Sequence, residues 1–474
     1  MNLGWLVALV DVVVAFLLIF GLKQMASPVT ARSGIGLAGA GMLAAVLAAL
    51  LYVLDVAPDA QPHVTANAIL AALALALGLG WAWWAGSRVP MTAMPQMVAI
   101  YNGMGGGAAA AIAATELLGA GQGASTRLAI AVVGGLIGSV SLSGSVVAWA
   151  KLDERLKRPC RIKGQQMLNA LVMLAAIVLG FSTILVMPRS PGLAALFFFA
   201  ALLFGVLMTL PIGGADMPVV ISLYNACTGV AVGLDGYVLQ NPALMVAGTI
   251  VGSAGTLLTV LMARAMNRSV RNVLFANFGA TGSAAQAGAV GALKPAEASD
   301  AAIFMRYARK VIVAPGYGLA VAQAQHKLYE LVKLLQAAGV EVKFAVHPVA
   351  GRMPGHMDVL LAEAGVPYDL IFELDDINDE FDDADVALVI GANDVVNPAA
   401  RVDRSSPIYG MPILNVDHAH QVYVIKRGQG RGYSGIENAL FYAPNCAMVY
   451  GDAQAVLVKM IQAIKDLTAE PQAA

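Results

Sequence analysis

Long apolar segments are the feature of this sequence that most limits its possible folds. Nine of them could each cross a bilayer of about 30 Å as a helix, which rises about 1.5 Å per residue. They occupy residues 3–22, 34–54, 64–86, 91–115, 126–150, 166–187, 191–210, 217–235 and 242–263. Only 12% of the 474 residues are charged, compared with roughly 25% in soluble domains. The sequence therefore predicts a helical membrane domain over residues 1–264.

The residues after Arg264 have a different pattern. Between 265 and 305, Gly, Ala, Ser and Asn predominate without a regular period, as is typical of a linker or hinge. From 306 to 474, short apolar runs alternate with helix-like segments such as 319–338 and 356–364. The runs are KVIVAP, VEVKFAV, YDLIFEL, DVALVIGA, PILNV, QVYVIK and CAMVYG. This alternation predicts an α/β Rossmann-like domain with a mostly parallel sheet, following the α-helical membrane bundle.

The distribution of Lys and Arg predicts how the chain crosses the membrane. An odd number of spans puts the termini on opposite sides, and cytoplasmic loops are enriched in Lys and Arg. With the N-terminus outside, the outside loops hold only Arg127 and Arg189. The cytoplasmic segments then hold Lys23, Arg32, Arg88, Lys151, Arg155, Lys157, Arg158, Arg161, Lys163, Arg264, Arg268 and Arg271. We therefore expect residues 306–474 in the cytoplasm. A net charge of -1 indicates no nucleic-acid partner.

The stretch VIVAPGYGLAV predicts a nucleotide-binding turn. Gly316 and Gly318 lie between a strand-like and a helix-like run, where backbone amides and a helix dipole can hold a pyrophosphate. A third glycine is expected where Val321 stands, and an acid is expected after VEVKFAV, where the sequence has His347 and Pro348. The missing acid disfavours NAD bound in the usual way. Alone, the glycine pair is equally compatible with a tight turn in any α/β domain.

The loop KRGQGRGYSG carries the complementary signal. Lys426 ends the run QVYVIK, and Arg427 and Arg431 follow it in this glycine-rich loop. A 2′-phosphate is bound by Arg or Lys at the place where a 2′-hydroxyl requires an acid. Together with the missing acid, the loop favours NADP(H) over NAD(H). The alternative is a solvated basic loop that binds nothing.

Two further loops, HPVAGRMPGH and GANDVVNPAA, each follow a predicted strand, where ligands of such sheets bind. Arg352 can reach a phosphate, while Asn393 and Asp394 can hydrogen-bond ribose or nicotinamide. Turn-forming residues explain the same loops almost as well. We expect no catalytic acid or base, because hydride transfer between nicotinamides requires only positioning. The three cysteines lack metal-ligand spacing, so we expect no metal.

Polar residues inside the apolar runs are candidates for a proton path, because such groups are costly in lipid. The candidates are Asn102, Ser139, Ser141, Asp216 and Asn225. Helix capping and interhelical hydrogen bonds are the alternative explanation for most of them. The six histidines all lie outside the spans, and His63 borders the third.

Taken together, these stretches resemble the beta subunit of proton-translocating NAD(P) transhydrogenases. The resemblance rests on APGYGLAVAQAQ, HPVAGRMPGHMDVLLAEAGVPYD, GANDVVNPAA and KRGQGRGYSG, and on GADMPVVISLYNACTG and ARAMNRS in the membrane part. It implies a Re/Si-specific enzyme of the bacterial inner membrane that transfers hydride from NADH to NADP+, driven by protons moving inward. NADP(H) would bind this chain and NAD(H) a partner alpha subunit, which adds membrane helices. The assembly would be a dimer of alpha–beta units.

The resemblance also implies roles for individual residues. Gly316, Tyr317 and Gly318 would face the cofactor, whose orientation in this family is reversed relative to the standard one. Near its phosphates and ribose would lie Val349, Ala350, Gly351, Arg352, Met353 and Pro354. Near the nicotinamide would lie Gly391, Ala392, Asn393, Asp394 and Val395. The 2′-phosphate site and a lid would comprise Lys426, Arg427, Gly428, Arg431, Gly432 and Tyr433. A further contact would come from Asp452 and Ala453.

One departure from the family pattern concerns the fourth span. Many members carry a histidine where PQMVAIYN has Asn102, and asparagine does not titrate. We expect a histidine of the partner's membrane helices to carry the proton instead, a hypothesis that fails if a complex lacking those histidines still pumps normally. The rival function is a secondary transporter gated by a cytoplasmic NADP(H)-sensing domain, which an inverted repeat among the spans would support.

Overall fold

The computed structural model divides the chain into two compact units. It describes residues 3–27, 29–56, 63–119, 125–156, 160, 162–185, 190–213, 216–267, 269–275, 293–353, 355–404, 406, 408–428, 432 and 434–469. The membrane unit comprises Met1–Ile212 and Val220–Thr259, and the C-terminal unit comprises Gly213–Val219 and Val260–Ala474. The domain limits that we place at 264 and 305 stay a prediction, and much of the expected linker lies outside the described residues.

Nine long apolar helices in the described part of the chain confirm the predicted membrane bundle. Helices suit lipid because they satisfy every backbone hydrogen bond within one segment. The helices are α1 Leu3–Met25, α2 Ala31–Val56, α3 Val64–Gly86, α4 Met94–Leu118, α5 Ser125–Leu152, α6 Gln165–Leu185, α7 Pro191–Thr209, α8 Met217–Val238 and α9 Pro242–Ala265. The fourth begins three residues later than expected, after a 3-10 turn at Met91–Ala93, because Pro95 fits only the first turn of a helix.

Glycines allow close contact between several of these helices. A Cβ on Gly106 of α4 would lie 2.8 Å from the carbonyl oxygen of Gly138 on α5, so only glycine fits there. In the same way, a Cβ on Gly229 of α8 would lie 2.8 Å from Cα of Gly252 on α9. Small residues at such crossings are the usual means of helix association in lipid. The bundle is therefore tight along α4–α5 and α8–α9.

The C-terminal unit is built around a six-stranded, entirely parallel sheet in the order β3-β2-β1-β4-β5-β6. Its strands are β1 Lys310–Pro315, β2 Glu341–Val346, β3 Ile371–Glu373, β4 Val386–Ile390, β5 Gln421–Lys426 and β6 Cys446–Tyr450. Its helices are α10 Val270–Phe275, α11 Ala298–Arg306, α12 Tyr317–Val321, α13 Gln325–Ala337, α14 His356–Glu363, α15 Leu374–Ile377, α16 Ala399–Val402 and α17 Ala453–Ala469. This topology confirms the predicted Rossmann-like class.

Both faces of the sheet are buried, because alternate residues of each strand point to opposite sides. Val311 and Val313 of β1 lie in the core on one face, which α11, α13, α14 and α17 cover. Ile312 and Ala314 lie in the core on the other face, which includes Phe381 and other residues of the connecting segments. Near-continuous burial of the strands is the reason that they read as apolar runs in the sequence.

Two local predictions in this unit are wrong. The run PILNV is not a strand: its backbone makes a single bond to the β4 loop, from the Leu414 amide to the Val395 carbonyl at 2.9 Å, and Leu414 is buried as core. The expected helix 319–338 is two helices, because Gln323 has φ +50° and interrupts the run between α12 and α13. Burial explains the first error, since an apolar run can be core without pairing with a sheet.

Candidate nucleotide-binding site

The point where the strand order reverses, between β1 and β4, is where ligands bind in sheets of this type. The loops after β1, β2, β4 and β5 all leave the carboxyl edge of the sheet. These loops contain most of the predicted cofactor residues, and contacts join three pairs of them: the β1 loop to the β4 loop, the β1 loop to the β2 loop, and the β4 loop to the β5 loop. The described parts of the four loops therefore define the candidate site.

The glycine turn after β1 is packed directly against the β4 loop. The Gly316 amide donates to the carbonyl of Ile390 and the Gly318 amide to that of Gly391, both at 2.9 Å. A Cβ on Gly318 would lie 2.6 Å from Cα of Gly391, which itself has φ +72°. Three glycines are thus required for this close contact. Because two turn amides are already bonded, the turn offers a pyrophosphate fewer donors than the sequence suggests.

The absence of a third glycine at Val321 now has a physical explanation. The third glycine of the usual fingerprint allows a long helix to pack closely on the sheet. Here α12 ends at Val321, and the side chain of this residue is 45% exposed. Because this residue is exposed at the end of a short helix, a side chain is tolerated here.

Two histidines fix the β2 loop. His347 is buried: its Nδ1 accepts from the Val349 amide at 3.1 Å, so its Nε2 carries the proton and donates to the Pro412 carbonyl at 2.8 Å. Burial lowers the pKa of His347 to about 4, and the bond to Pro412 opposes this only in part. This neutral imidazole occupies the place where an NAD site would have its acid.

The second histidine of the β2 loop, His356, lies at the start of α14. Its Nδ1 accepts from the Arg352 amide at 3.0 Å, and its Nε2 is buried without a partner among the described residues. Burial lowers its pKa, and the nearby charge of Arg352 adds to this effect. The guanidinium of Arg352 stacks 4.3 Å above the ring of Tyr317, which joins the β2 loop to the β1 turn.

The β4 loop and the β5 loop are held together by polar side chains. One carboxylate oxygen of Asp394 accepts from the Ser434 hydroxyl at 2.7 Å, and the other accepts from the Ser434 amide at 2.9 Å. The Asn438 amide group donates to the Asn393 backbone and side-chain oxygens at 2.9 and 3.1 Å. Buried Asn397 accepts from the Ala439 amide at 3.2 Å. These bonds fix the described part of the β5 loop over the β4 loop.

Two cations stand at the end of β5. The ammonium group of Lys426 lies 4.4 Å above the ring of Phe441, and both residues line a small cavity. Burial lowers the pKa of Lys426, and the Asp394 carboxylate opposes the shift. Arg427 pairs with Asp452 at 3.3 Å, with both side chains about half exposed. The end of β5 therefore presents one sheltered and one exposed positive charge.

Comparison with known proteins decides the family of this chain. A family model described as NAD(P) transhydrogenase beta subunit matches residues 7–463. Two sequences named NAD(P) transhydrogenase subunit beta, both from Rhodospirillum rubrum, are each 44% identical over 466 residues, covering 96% of this chain and 98% of theirs. The chain belongs to the NAD(P) transhydrogenase beta-subunit family. Membership makes it part of an oxidoreductase that uses nicotinamide dinucleotides, and a beta subunit implies an alpha partner.

Within this member of the family, the predicted site residues differ in their burial and in whether the structure describes them. Ala350, Ala392, Val395 and Ala453 are buried and pack in the core. Gly428 lines the cavity beside Lys426, and a Cβ on Gly432 would lie 2.8 Å from Nδ2 of Asn393. Pro354, Arg431 and Tyr433 lie outside the described residues. Sequence reasoning missed Ser434, Asn438 and His356; the Asn-rich β4 loop was the available signal that its side chains bond other loops.

The predicted proton-path residues of this transhydrogenase subunit are also only partly brought together. Nδ2 of Asn102 donates to Ser145 at 2.9 Å and to Ser141 at 3.4 Å, which joins α4 to α5. Buried Ser139 has no hydrogen-bond partner for its hydroxyl among the described residues. Asn225 of α8 is only half-buried, and Asp216, which precedes that helix, is buried. Asn102, Ser141 and Ser145 therefore form one cluster.

Proposed function

We propose that residues 306–474 bind NADP(H). We further propose that the chain, with an alpha partner carrying the NAD(H) domain, transfers hydride between NADH and NADP+ coupled to inward proton translocation. The observation that carries this proposal is the position of Lys426 and Arg427 at the carboxyl end of β5, with neutral His347 where an acid would bind a 2′-hydroxyl. Two cations at the end of β5, together with the missing acid at the end of β2, suit a 2′-phosphate.

The residues at the switch point fit a dinucleotide. Only glycines fit where the β1 turn meets the β4 loop, so the two loops lie side by side at this point. Among the described residues, the buried Nε2 of His356 has no hydrogen-bond partner, so it is a donor that a phosphate oxygen would satisfy. When bound, the nicotinamide ring supplies the hydride chemistry. The chain's own residues then have only to hold and orient it.

The β5 loop would act as a lid over the cofactor. Its described part is attached to the β4 loop through Asp394 and Ser434. We expect Tyr433, Arg431 and Gly432 to close over the ligand, and Asp394 to lie near the nicotinamide. A change of redox state at the nicotinamide would alter the Asp394–Ser434 bonds, and with them the retention of the cofactor.

The remaining parts of the proposal concern the assembly. We infer a bacterial inner-membrane enzyme with the N-terminus outside, supported by the excess of Lys and Arg in the expected cytoplasmic segments. We also infer Re/Si-specific transfer and a dimer of alpha–beta units, as the family resemblance implies. Protons would cross near Asn102, Ser139, Ser141, Asp216 and Asn225. Binding-domain changes and proton passage would be coupled through conformation.

The test uses the complex of this chain with its alpha partner, reconstituted in vesicles. Oxidation of NADPH by an NAD+ analogue is followed by absorbance while a pH-sensitive dye reports proton movement. The proposal predicts hydride transfer to the analogue together with a pH gradient that an uncoupler abolishes. Tight NADPH binding without hydride transfer would contradict it and favour the gated transporter instead.

A further inference from the structure

One buried carboxyl group in the membrane unit has no partner in the part of the chain that the structure describes, and it has no assigned role. Asp235 lies on α8, one turn before the helix ends, and its side chain is 1% exposed. Neither of its carboxyl oxygens has a hydrogen-bond partner among the residues that the structure describes. Gly134 of α5 faces it: a Cβ there would lie 3.2 Å from Oδ1 of Asp235. Ionisable groups buried in this way within membranes mark ion pathways.

Helix geometry places Asp235 on the same face of α8 as a polar cluster. Tyr224, Thr228 and Asp235 are spaced by four and seven residues, which puts them on one side of a helix. The Ser141 hydroxyl on α5 donates to the Tyr224 carbonyl at 3.0 Å and lies 2.6 Å from Oγ1 of Thr228. The α5 face that carries Gly134 and Ser141 therefore packs on this α8 face. Thr228 lies about 10 Å along the axis from Asp235.

The polar groups continue toward the opposite end of α5. The Tyr224 hydroxyl bonds that of Thr209 on α7 at 2.5 Å. Nζ of Lys151 donates to the carbonyls of Thr209, Leu210 and Ile212 at 2.8, 2.6 and 2.5 Å.

We call this line of groups the polar seam. Its members are Asp235, Thr228, Ser141, Ser145, Asn102, Tyr224, Thr209 and Lys151. From Gly134, opposite Asp235, to Lys151 it extends about 25 Å along α5, which is most of a hydrocarbon layer of about 30 Å.

Asp235 is the member of the seam chemically suited to take up and release a proton. Hydroxyl and amide groups relay hydrogen bonds but do not hold a net proton in this way, and Lys151 is fully bonded to carbonyls. Other ionisable groups near Asp235 are few. Glu116 and Arg127 pair at 2.8 Å, with Arg127 about two turns beyond Gly134. Tyr237 is on the same helix, α7 has no ionisable residue, and Arg264 stands at the far end of α9.

We propose that Asp235 is a proton-binding site at one end of the polar seam. The inference rests on the proposed function and names the titrating group of its proton path, inside this chain rather than in the partner. The proton adds to a carboxylate oxygen and leaves to water or to the next acceptor, and no electrons move. Ala231 is fully buried and separates Asp235 from Thr228, so passage of a proton between them requires α5 and α8 to move apart. Such a movement would couple proton passage to a change of conformation.

The test compares Asp235→Asn with Asp235→Glu in the reconstituted complex. Two rates are measured: NADPH oxidation coupled to proton movement, and hydride exchange between NADH and an NAD+ analogue through NADP(H) that stays bound. The exchange has no net redox change and requires no net proton movement. The matched control is Asp11→Asn, because Asp11 is a buried carboxyl of α1 that is not part of the seam.

The expected result is at least a tenfold loss of the coupled rate in Asp235→Asn, with exchange intact, and recovery in Asp235→Glu. A normal coupled rate in Asp235→Asn, or an equal loss in Asp11→Asn, overturns the inference. If Asp235→Asn abolishes both activities, a second variant, Gly134→Ala, tests the inference. Its added methyl group would contact the Asp235 carboxyl group, so we expect the pH profile of the coupled rate to shift while that of the exchange rate stays the same. An unchanged pH profile of the coupled rate overturns the inference. Absence of both activities in the unaltered complex would instead contradict the proposed function.

Discussion

Replacement of the two cations at the end of β5 should reveal how much the 2′-phosphate contributes to cofactor binding, apart from the rest of the cofactor. Lys426 is partly buried beside Phe441, so a bond from it to a phosphate would be sheltered from solvent. A charge-assisted bond of this kind contributes about 1.5–3 kcal/mol, or roughly 10- to 140-fold in Kd at about 1.4 kcal/mol per decade. Arg427 is 57% exposed and paired with Asp452. We therefore expect only about 1 kcal/mol from it, roughly fivefold, decreasing with salt.

The assay for this prediction is a titration of the intact complex with NADP+ and with NAD+, which differ only by the 2′-phosphate. Lys426→Ala should weaken NADP+ binding by the larger factor and Arg427→Ala by the smaller, while NAD+ binding changes by less than about threefold. The control is Lys333→Ala, an exposed lysine of α13 that stacks on Tyr329. Equal losses for NADP+ and NAD+ in Lys426→Ala would refute the assignment of this residue to the 2′-phosphate.

Three further predictions follow from the same site. His347 has a pKa of about 4 when folded against 6.5 in the reference state, so its contribution to stability is full above pH 6.5. As pH falls toward 4, the free energy of unfolding should decrease by about 3 kcal/mol. Hydrogen exchange of β2 peptides should show this decrease, and His347→Asn should make the stability depend less on pH. Ser434→Ala should speed NADP+ release about tenfold by loosening the lid, and unchanged release in stopped flow would exclude this role. Gly391→Ala should destabilise the sheet by about 2–4 kcal/mol, whereas Gly339→Ala, with φ +86° but open space, should cost only about 1 kcal/mol.

The helices and strands could be predicted from the sequence where burial produces a continuous run of apolar residues. Apolar runs of about 20 residues identified the nine long helices in the described ranges, and short apolar runs identified all six strands of the sheet. The same reasoning failed at PILNV, because an apolar segment buried by loops looks like a strand. It also failed at Gln323, whose left-handed backbone breaks a helix that residue composition alone would continue.

The candidate site was accessible in part for the same reason. Lys426 and Arg427 are visible because a cation pair after a strand is unusual, and the missing acid is visible because His347 follows VEVKFAV. The bonds from Asp394 to Ser434 were not visible, since 40 residues separate them. Asp235 was overlooked because it ends an apolar run, where an acid usually faces solvent.

The sequence by itself determined that the described part of the chain has nine long apolar helices, that a parallel sheet follows them, and that Lys426 and Arg427 stand at the end of β5. These properties depend on residue type and local spacing. Only the tertiary structure decided that the amides of the glycine turn bond to the β4 loop, that position 321 tolerates a side chain, and that the buried Asp235 carboxyl group faces Gly134. Each of these depends on the register between elements distant in sequence, which local patterns do not encode.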